Sequence, residues 1–404
     1  MRVISMTSSI FSSVELAPRD PIFGLNEAFN ADSRTNKVNL VVGVYLDDAG
    51  KIPLLNAVKA VERTRLESMP SWGYQPIDGS AAYNKQVQSL LFGKDSPLLA
   101  EGRVVTAQAL GGTGALKLGA DYLKRLLPNA AVYISDPSWE NHRALFESAG
   151  FTVKNYPYYD AATRGVDFAA MKSCLAALPA GSIIVLHACC HNPTGADLSE
   201  EQWREIIEVI KARGLTPFID MAYQGFADGI SEDALSLNLF TASGLQFFVS
   251  SSYSKSFSLY GERVGALSVV TASKDETARV LSQIKRVIRT NYSNPPTHGG
   301  ALVAAILASA ELRQMWETEL AGMRERIKKM RGSLVEKLKE KGARDFSFVI
   351  KQRGMFSYTG LTPDQVARLQ SEFGVYAVGT GRICLAALNT GNIDYVAKSI
   401  AAVL

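Results

Sequence analysis

The chain has 404 residues, of which 47% are hydrophobic and 20% charged, and its formal net charge is +4. This length is enough for two domains of an ordinary globular protein. The small, dispersed charge lacks the basic block of a nucleic-acid-binding protein, and no apolar run approaches the ~20 residues of a membrane-spanning helix. We therefore expect neither a nucleic acid nor a membrane as partner.

Cysteine usage and the start of the chain bear on the compartment. The four cysteines show no metal-ligand spacing, and buried reduced thiols in a cytosolic protein explain Cys174, Cys189, Cys190 and Cys384. The first residues lack the long apolar core of a signal peptide. We expect a cytoplasmic protein in which residues 1–19 form an N-terminal arm.

The first hundred residues contain two predicted helices, Leu54 to Glu67 and Tyr83 to Leu91, and one strand-like run, Val38 to Tyr45. Gly43 interrupts the run, and its missing side chain would let a ligand or another backbone approach closely. A simple bulge explains this glycine equally well.

A glycine-rich segment, Gly111-Gly112-Thr113-Gly114, stands between a predicted strand, Arg103 to Leu110, and a predicted helix, Ala115 to Leu127. The free backbone N–H groups and the dipole at the start of a helix can bind a phosphate. The segment lacks the spacing of a dinucleotide fingerprint or a Walker loop, so it is a weak signal alone.

Strand and helix patterns alternate from Arg103 to Ser254, which predicts an α/β fold with a mostly parallel sheet covered by helices. Ligands bind outside the carboxyl ends of the strands in such sheets. Several predicted strands are followed by reactive or aromatic side chains, namely Trp139, His142, His187, Asn192, Asp220, Tyr223 and Lys255. We expect the functional site at this edge.

Lys255 follows the apolar run Phe247 to Val249, stands among serine hydroxyls and precedes Arg263. A lysine at the end of a buried strand can form a Schiff base with a carbonyl, and its neighbours can hold an anion. The alternative is a lysine that merely extends from a loop into solvent.

The last third of the chain indicates a second, smaller α+β domain. A long charged helix, Glu311 to Lys341, is predicted to bridge the two domains. The other predicted elements are a strand, a rigid polar loop and the segments of the smaller domain: Val264 to Val270, Arg289 to Pro296, Phe346 to Tyr358, Pro363 to Phe373 and Arg382 to Ala387.

Together these side chains suit one flat, charged ring. Lys255 can bind an aldehyde, Asp220 a protonated ring nitrogen, and Tyr223 and Asn192 a phenolic oxygen. The glycine-rich helix start, Ser252, Ser254 and Arg263 could bind a phosphate, and Trp139 could stack on the ring. These are the groups of pyridoxal 5'-phosphate. Arg289 and Arg382 remain, and each could bind a carboxylate bidentately.

Each residue also has an ordinary explanation: Asp220 could cap a helix, and the two arginines could form surface ion pairs. A metal pair of His187 and His191 is disfavoured because Asn192-Pro193 follows, and we expect no metal. A lyase or decarboxylase on the same cofactor would also need Lys255 and Asp220, but it would have less need of Arg289, so the two arginines favour transamination. A nicotinamide dehydrogenase would leave Lys255 and Asp220 unused, and a non-enzymatic regulator would need a DNA-binding appendage for which the chain has no room.

Several motifs resemble fold-type I pyridoxal-phosphate aminotransferases, and more narrowly the aspartate/aromatic amino acid branch of class I. They are HNPTG at His191 to Gly195, DMAYQGF at Asp220 to Phe226, SYSK at Ser252 to Lys255, YGERVG at Tyr260 to Gly265, and NYSNPP ending at Pro296. The resemblance covers nearly the whole chain, from about Asp20 onward. It implies a large cofactor domain with a mostly parallel seven-stranded type of sheet, residues 53–321, and a small α+β domain of residues 20–52 and 322–404.

The resemblance implies roles for the site residues. Lys255 forms the internal aldimine and later moves the proton between Cα and C4′. Asp220, supported by His187, pairs with the ring nitrogen, and Tyr223 and Asn192 bind the ring oxygen. Trp139 stacks on the ring, and His142 lies nearby. The phosphate is bound by Gly112, Thr113, Ser252, Ser254 and Arg263, together with Tyr74 from a partner subunit. Gly43, Trp139, Asn192 and Arg382 hold the substrate α-carboxylate, and Arg289 of the other subunit holds its side-chain carboxylate. The resemblance thus implies a homodimer with shared active sites and cis peptide bonds at Asp136-Pro137 and Asn192-Pro193.

The substrates expected are amino acids and 2-oxo acids in a ping-pong transamination. Leu46 and Ile52 suit an aromatic donor, whereas Val44, Thr113 and Asn294 suit an aspartate-selective relative. We expect tyrosine and phenylalanine as donors, 2-oxoglutarate as acceptor and aspartate also used. The alternatives are an aspartate-selective aminotransferase and, more distantly, another lyase or decarboxylase that uses pyridoxal phosphate.

Overall fold

A computed structural model of the chain describes residues 9–18, 20, 22–68, 71 and 73–404. The predicted arm is therefore described only from residue 9 to residue 18, and the rest of that prediction lies outside the described residues. In this stretch the apolar side chains of Ile10, Phe11, Val14 and Leu16 are exposed. Within the described residues, we find no helix that is long and apolar enough to cross a membrane.

Thirteen strands are present in the described residues. They are β1 (Val38–Asn39), β2 (Val104–Leu110), β3 (Ala131–Asp136), β4 (Thr152–Pro157), β5 (Tyr159–Asp160), β6 (Gly165–Val166), β7 (Ile183–His187), β8 (Thr216–Met221), β9 (Phe247–Ser252), β10 (Val264–Val270), β11 (Phe356–Tyr358), β12 (Val375–Tyr376) and β13 (Arg382–Cys384).

Fifteen α-helices are present in the same part of the chain. They are α1 (Phe23–Ala31), α2 (Asn56–Ser68), α3 (Ala81–Phe92), α4 (Pro97–Ala100), α5 (Gly111–Leu126), α6 (Glu140–Ser148), α7 (Phe168–Ala177), α8 (Glu200–Arg213), α9 (Leu235–Ser243), α10 (Lys274–Asn291), α11 (His298–Ala308), α12 (Ala310–Glu340), α13 (Phe348–Lys351), α14 (Pro363–Phe373) and α15 (Ile393–Val403).

A seven-stranded sheet in the order β2-β10-β9-β8-β7-β3-β4 forms the centre of the molecule. Every pairing is parallel except those of β10, which runs antiparallel to β2 and β9. Strands such as β9 and β10 are buried along their whole length, as expected of a sheet with helices on both faces. The predicted α/β fold with a mostly parallel sheet is confirmed.

Local sequence signals fix several element ends. Ser199 caps α8 and forms a capping box with Gln202, and Gly214 ends this helix in a left-handed conformation. The peptide bonds Asp136-Pro137 and Asn192-Pro193 are both cis, as the resemblance implies.

Two element predictions are wrong. The run from Val38 to Tyr45 is a strand only over Val38–Asn39. Beyond it, side chains rather than a neighbouring strand bind the backbone groups of Val41: its N–H donates to the Asn39 side chain, and its carbonyl accepts from Arg382. The segment from Arg289 is not entirely a loop either, since Arg289 lies in the last turn of α10.

The two ends of the chain meet in a separate small sheet. Val38 of β1 pairs in parallel with Val375 of β12. Beside it, Val41, Tyr376 and Val378 form an apolar cluster against which Ile22, Leu25, Ala28 and Phe29 pack. This arrangement brings residues near 40 to the residues around Arg382, next to the carboxyl edge of the large sheet.

Candidate active site

The register of the parallel strands aligns polar side chains at the carboxyl edge of the sheet. His187 of β7 lies opposite Asp220 of β8, and Asp220 lies opposite Ser250 of β9. Tyr223 and Lys255 follow β8 and β9 at the same edge. The ammonium group of Lys255 lies 4.6 Å from the centre of the Tyr223 ring, so the two strand ends converge.

Asp220 is a buried carboxylate with two hydrogen-bond donors. Nε2 of His142 lies 2.9 Å from its Oδ2, and the Ser250 hydroxyl donates to its Oδ1 at 3.1 Å. Ser138 Oγ lies 3.0 Å from Nδ1 of His142 and orients that ring. Burial raises the pKa of Asp220, but the hydrogen bond and charge of His142 outweigh it, so the net pKa is lowered. The group is therefore ionised at neutral pH.

His142, and not His187, makes the hydrogen bond to Asp220. His187 lies in the same cluster, with a ring nitrogen within 4.8 Å of the Asp220 carboxylate, and its support of Asp220 stays a prediction. Both ring nitrogens of His187 are buried without a hydrogen-bond partner in the described residues, and its ring lies 4.9 Å from that of His142. Burial, with His191 and His142 nearby, holds the pKa of His187 well below its usual value. His187 is thus a neutral ring that packs against the network.

Lys255 is half-buried in a site where its charged form is disfavoured. Burial lowers the pKa of Lys255 to about 8, Asp220 opposes this shift, and Arg263 and Arg382 add to it. A larger fraction of the amine is therefore uncharged near neutral pH than for an exposed lysine, and the uncharged amine is the nucleophile.

An anion site lies at the start of α5. The helix begins at Gly111 directly after β2, and the φ of Gly111 is 69°. The guanidinium of Arg263 lies close to this glycine, since a Cβ on Gly111 would lie 2.5 Å from its Nη2. A Cβ on Gly112 would lie 3.1 Å from the Cβ of Ser252. Arg263 also donates to the Ser254 hydroxyl at 3.3 Å. Helix start, hydroxyls and guanidinium together suit a phosphate.

Arg382 is a buried cation without an acidic partner among the described residues. Only 2% of it is exposed. It donates to Asn192 Oδ1 at 3.1 Å and to Val41 O at 2.8 Å, while its Nε is buried without a partner. Its guanidinium lies 4.3 Å from the centre of the Phe356 ring. Since a buried charge is costly without a counter-ion, this arrangement favours an incoming carboxylate.

Gly43 and Trp139 border the same region. A Cβ on Gly43 would lie 2.6 Å from Cζ of Phe356, so the ring that packs on Arg382 requires a glycine here. Trp139 precedes α6 and meets His142 edge-on with ring centres 5.3 Å apart. Trp139 therefore lies beside His142, as the resemblance implies, whereas Gly43 lies beside Phe356, which contacts Arg382.

Two predicted site residues are not brought to this cluster by the single chain. Tyr74 is 94% exposed. Arg289 is exposed and its guanidinium donates to Ser293 near the end of α10. Neither forms an ion pair or a ring contact with Lys255, Asp220 or Arg382 in the described part of the chain, and their assignment to a partner subunit stays a prediction.

Three residues that contribute to the site were not among those predicted from the sequence. Ser250 donates to Asp220, Ser138 orients His142, and Phe356 packs on Arg382. The hydroxyl run at Ser250 to Ser252 was a usable signal, because alternate residues of a strand that ends at the site face the same way. Phe356 carried no signal, since its contact depends on how distant segments fold together.

The site fits pyridoxal phosphate in four respects. It offers a half-buried amine with a lowered pKa, a buried carboxylate that no lysine or arginine pairs with in the described residues, an anion site at a helix start, and a buried arginine with a free Nε. These match the aldehyde, the ring nitrogen, the phosphate and the substrate carboxylate respectively.

Comparison with known proteins agrees with this geometry. Residues 35–400 match the aminotransferase class I and II family. An aspartate aminotransferase of Pseudomonas aeruginosa is 66% identical over 397 residues, covering 98% of this chain and 100% of the relative. An aromatic-amino-acid aminotransferase of Escherichia coli is 50% identical over 398 residues, covering 98% and 100%. A crystal structure of an aromatic-amino-acid aminotransferase from Burkholderia pseudomallei, covalently bound to pyridoxal phosphate, superposes with a TM-score of 0.96 at 67% identity, covering 98% of this chain and 100% of that one.

The fold and the site therefore define an aminotransferase. The chain belongs to the class I and II aminotransferase family. The predicted family, enzyme class and activity are confirmed, and so is the pyridoxal phosphate cofactor, which the Burkholderia relative carries.

Proposed function

We propose that this enzyme transfers the amino group of aromatic amino acids and of aspartate to 2-oxoglutarate, in a ping-pong reaction. The observation that carries the proposal is Arg382, a buried guanidinium that has no acidic partner in the described part of the chain and that contacts Asn192. It lies close enough to Lys255 for its charge to lower the pKa of the lysine. An α-carboxylate bound there would bring the substrate amino group to Lys255. Both substrate classes appear among the names of relatives, namely aspartate, aromatic-amino-acid and tyrosine aminotransferases.

Each side chain at the sheet edge has a place in this reaction. When bound, pyridoxal phosphate supplies a ring that stabilises negative charge at the substrate Cα. The ionised Asp220 would hold a proton on the ring nitrogen, and Nζ of Lys255 would take the proton from the substrate Cα and deliver it to the cofactor carbon that carried the aldehyde. Tyr223 and Asn192 donate to the ring oxygen; burial raises the pKa of Tyr223, so its phenol keeps the proton it donates.

The remaining cofactor and substrate contacts follow the same proposal. Trp139 stacks on the ring. The phosphate is bound by Gly112, Thr113, Ser252, Ser254 and Arg263. Arg382, with Asn192, Trp139 and the backbone at Gly43, binds the α-carboxylate, and the closed, water-poor site protects the charge formed at Cα.

The homodimer is part of the proposal, because two of its binding groups come from the partner subunit. Tyr74 would reach the phosphate and Arg289 the side-chain carboxylate across the interface. The 94% exposure of Tyr74 and the 74% exposure of Leu66 in the single chain support a covering partner. The cytoplasmic location stays a prediction, supported by four free cysteines.

The domain division also stays a prediction, with residues 20–52 and 322–404 as the small domain and 53–321 as the large one. The pairing of β1 with β12 and the apolar cluster beside it support one unit built from both chain ends. Its movement would open and close the site around Arg382.

Donor preference is the finer part of the proposal. Leu46 is half-buried and Ile52 is 50% exposed, so both offer apolar surface that could contact an aromatic donor. An aspartate-selective enzyme is the alternative, favoured by the aspartate aminotransferase of P. aeruginosa at 66% identity.

The test is an absorption titration of the purified protein reconstituted with pyridoxal phosphate. Phenylalanine and aspartate, added separately, should each bleach the visible band of the bound cofactor, and 2-oxoglutarate should restore it. Bleaching by aspartate alone would establish the aspartate-selective alternative. If no visible band forms, Lys255 does not bind the cofactor and the proposal is wrong.

A further inference from the structure

Asp197 is a half-buried carboxylate just after the HNPTG segment, and none of the roles above uses it. Its Oδ2 accepts the backbone N–H of Cys190 at 2.7 Å, and its Oδ1 accepts the backbone N–H of His191 at 2.8 Å. Two consecutive N–H groups thus converge on one carboxylate. Hydrogen bonds to an ionised acceptor are stronger than neutral ones, so Asp197 holds both peptide units firmly in place. We call these two hydrogen bonds the clamp.

The clamp acts where the backbone adopts an unfavourable conformation. Cys190 has a φ of 52°, in the left-handed region that residues with a Cβ rarely occupy. Gly354 lies next to this residue, since a Cβ on Gly354 would lie 2.4 Å from the Cβ of Cys190. A contact that holds the two N–H groups in this direction offsets the cost of the turn.

The turn aims the next two side chains. The ring of His191 lies between Ser135 Oγ at 2.9 Å and Thr194 Oγ1 at 2.8 Å. Asn192 then presents its Oδ1 to Arg382. The position of Asn192 relative to Arg382 therefore depends on the backbone that Asp197 holds.

The carboxylate of Asp197 is ionised at neutral pH and above, although burial disfavours its charged form. Burial raises the pKa of Asp197 to about 6, the N–H groups of His191 and Cys190 oppose the shift, Asp233 adds to it and Arg353 opposes it. The ionised form accepts both N–H groups fully.

We propose that Asp197 is a positioning residue for substrate binding, which holds Cys190 and His191 so that Asn192 and Arg382 meet the substrate α-carboxylate. This inference rests on the proposed function, because it assigns the α-carboxylate to Arg382. It predicts that loss of the clamp weakens carboxylate binding more than it slows the proton transfer at Lys255.

The test compares Asp197→Asn with Asp160→Asn in the holoenzyme. Asp160 is a matched control because its carboxylate also accepts two consecutive backbone N–H groups, those of Ala162 and Thr163, on an exposed turn. Asparagine fills the same space but offers one acceptor oxygen, so one N–H at Cys190 or His191 loses its partner. Kinetics with aspartate and phenylalanine and the calorimetric Kd of succinate, a dicarboxylate without an amino group, are measured for both variants.

Asp197→Asn should raise KM and the succinate Kd about tenfold, the size of one lost charge-assisted hydrogen bond, with kcat changed less than about threefold. Asp160→Asn should change neither. In the Asn192→Ala background the effect of Asp197→Asn should disappear, because both variants remove the same contact with Arg382.

Unchanged KM and Kd in Asp197→Asn, or an effect that simply adds to that of Asn192→Ala, would overturn the inference. If Asp197→Asn does not fold, Asp197→Ser is tested by the same criteria; if neither folds, Asp197 is a stability residue and the inference is wrong. Absence of transamination by the unmodified enzyme would instead refute the proposed function, so the two failures are distinguishable.

Discussion

Nε2 of His142 lies 2.9 Å from Oδ2 of Asp220, although 78 residues separate them in the sequence. Asp220 is buried with no lysine or arginine paired to it in the described residues, so this histidine is its main support. The hydrogen bond keeps the carboxylate ionised at the place proposed for the ring nitrogen. The contact therefore links the start of α6 to the chemistry at the end of β8.

The first prediction concerns this pair. Replacing His142 with phenylalanine removes the donor, so burial should raise the pKa of Asp220 and weaken its hold on a protonated ring nitrogen. We expect kcat/KM to fall about 10- to 100-fold, as for loss of a hydrogen bond to a buried charge, and cofactor to dissociate more readily. Steady-state kinetics and the equilibrium Kd of pyridoxal phosphate measure both effects.

His187→Phe is the matched control, because this neighbouring ring makes no hydrogen bond within the described residues. It should cost less than a tenth of the His142 effect on kcat/KM, a difference of about 1.4 kcal/mol. Equal losses in the two variants would show that the hydrogen bond is not what supports Asp220.

The second prediction follows from the pKa of about 8 at Lys255. Its folded-state pKa is depressed, so the uncharged amine accumulates as pH rises through about 8 rather than through the ordinary value of 10.5. The rate at which the cofactor-free protein takes up pyridoxal phosphate should rise with pH and reach half its maximum near pH 8. Stopped-flow absorbance from pH 6 to 10 records the profile.

Lys255→Ala should show no slow covalent phase at any pH in this experiment. A midpoint near 10 in the unmodified protein would contradict the burial of the amine. An unchanged covalent phase in Lys255→Ala would assign the uptake to another lysine.

The sequence predicted best where function depends on position along one strand or one turn. Asp220, Lys255 and the glycines at the start of α5 lie at or just after the ends of buried strands, and a mostly parallel sheet brings such ends to one edge. The contact between His142 and Asp220 could not be predicted in this way, because it depends on how α6 packs over the sheet. The sequence instead suggested His187, which is opposite Asp220 in register but points no donor at it.

The same limit explains the region of Arg382. Its partners Asn192 and Val41 are 190 and 341 residues away, and the strand expected at Val38 to Tyr45 is short because this arginine takes one of its carbonyls. Such contacts carry no periodic pattern. The proposed contacts of Tyr74 and Arg289 cannot be seen in a single chain, since their targets would lie on another copy of the chain.

The third prediction is a pH effect on stability at His298. Its Nδ1 lies 2.8 Å from Glu262 and its Nε2 3.0 Å from Glu62. The hydrogen bond with Glu262, opposed by burial and aided by Glu62, raises the pKa of His298. A raised folded-state pKa gives a stabilisation that is complete below the unfolded value near 6.5 and is lost as pH rises through the folded value.

His298→Asn should therefore lower Tm more at pH 5.5 than at pH 9, measured by calorimetry at matched ionic strength. The readout is how the Tm difference between the two proteins changes with pH. A Tm difference that is the same at both pH values would mean that the charge of His298 contributes nothing.

The fourth prediction separates Arg382 from the other arginines of the site. Arg382→Lys keeps one positive charge but loses the planar pair of donors, so α-carboxylate binding should weaken for every amino acid alike. We expect kcat/KM for aspartate and for phenylalanine each to fall about 100-fold or more, in line with truncating one partner of a buried charge pair.

Arg331→Lys is the contrasting variant, since Arg331 is buried but donates to Val349 O, Gly354 O, Phe356 O and the Ser357 hydroxyl. It should lower Tm with a smaller change in KM. A loss for only one donor class in Arg382→Lys would refute the α-carboxylate assignment.

The last prediction tests Arg289 as the group that recognises a side-chain carboxylate from the partner subunit. Arg289→Ala should lower kcat/KM for aspartate about 100-fold or more, because a charged carboxylate loses its bidentate partner, and lower that for phenylalanine less than about fivefold. Arg286→Ala, one turn earlier on the exposed side of α10, is the matched control and should change neither. Equal losses for both donors would refute this role of Arg289.

A mixture of inactive Lys255→Ala and Arg289→Ala subunits should regain aspartate activity if the site is shared, since one site in each mixed dimer then combines an intact Lys255 with an intact Arg289. No recovery in mixed dimers, verified by differential tags, would place Arg289 and Lys255 in the site of the same subunit.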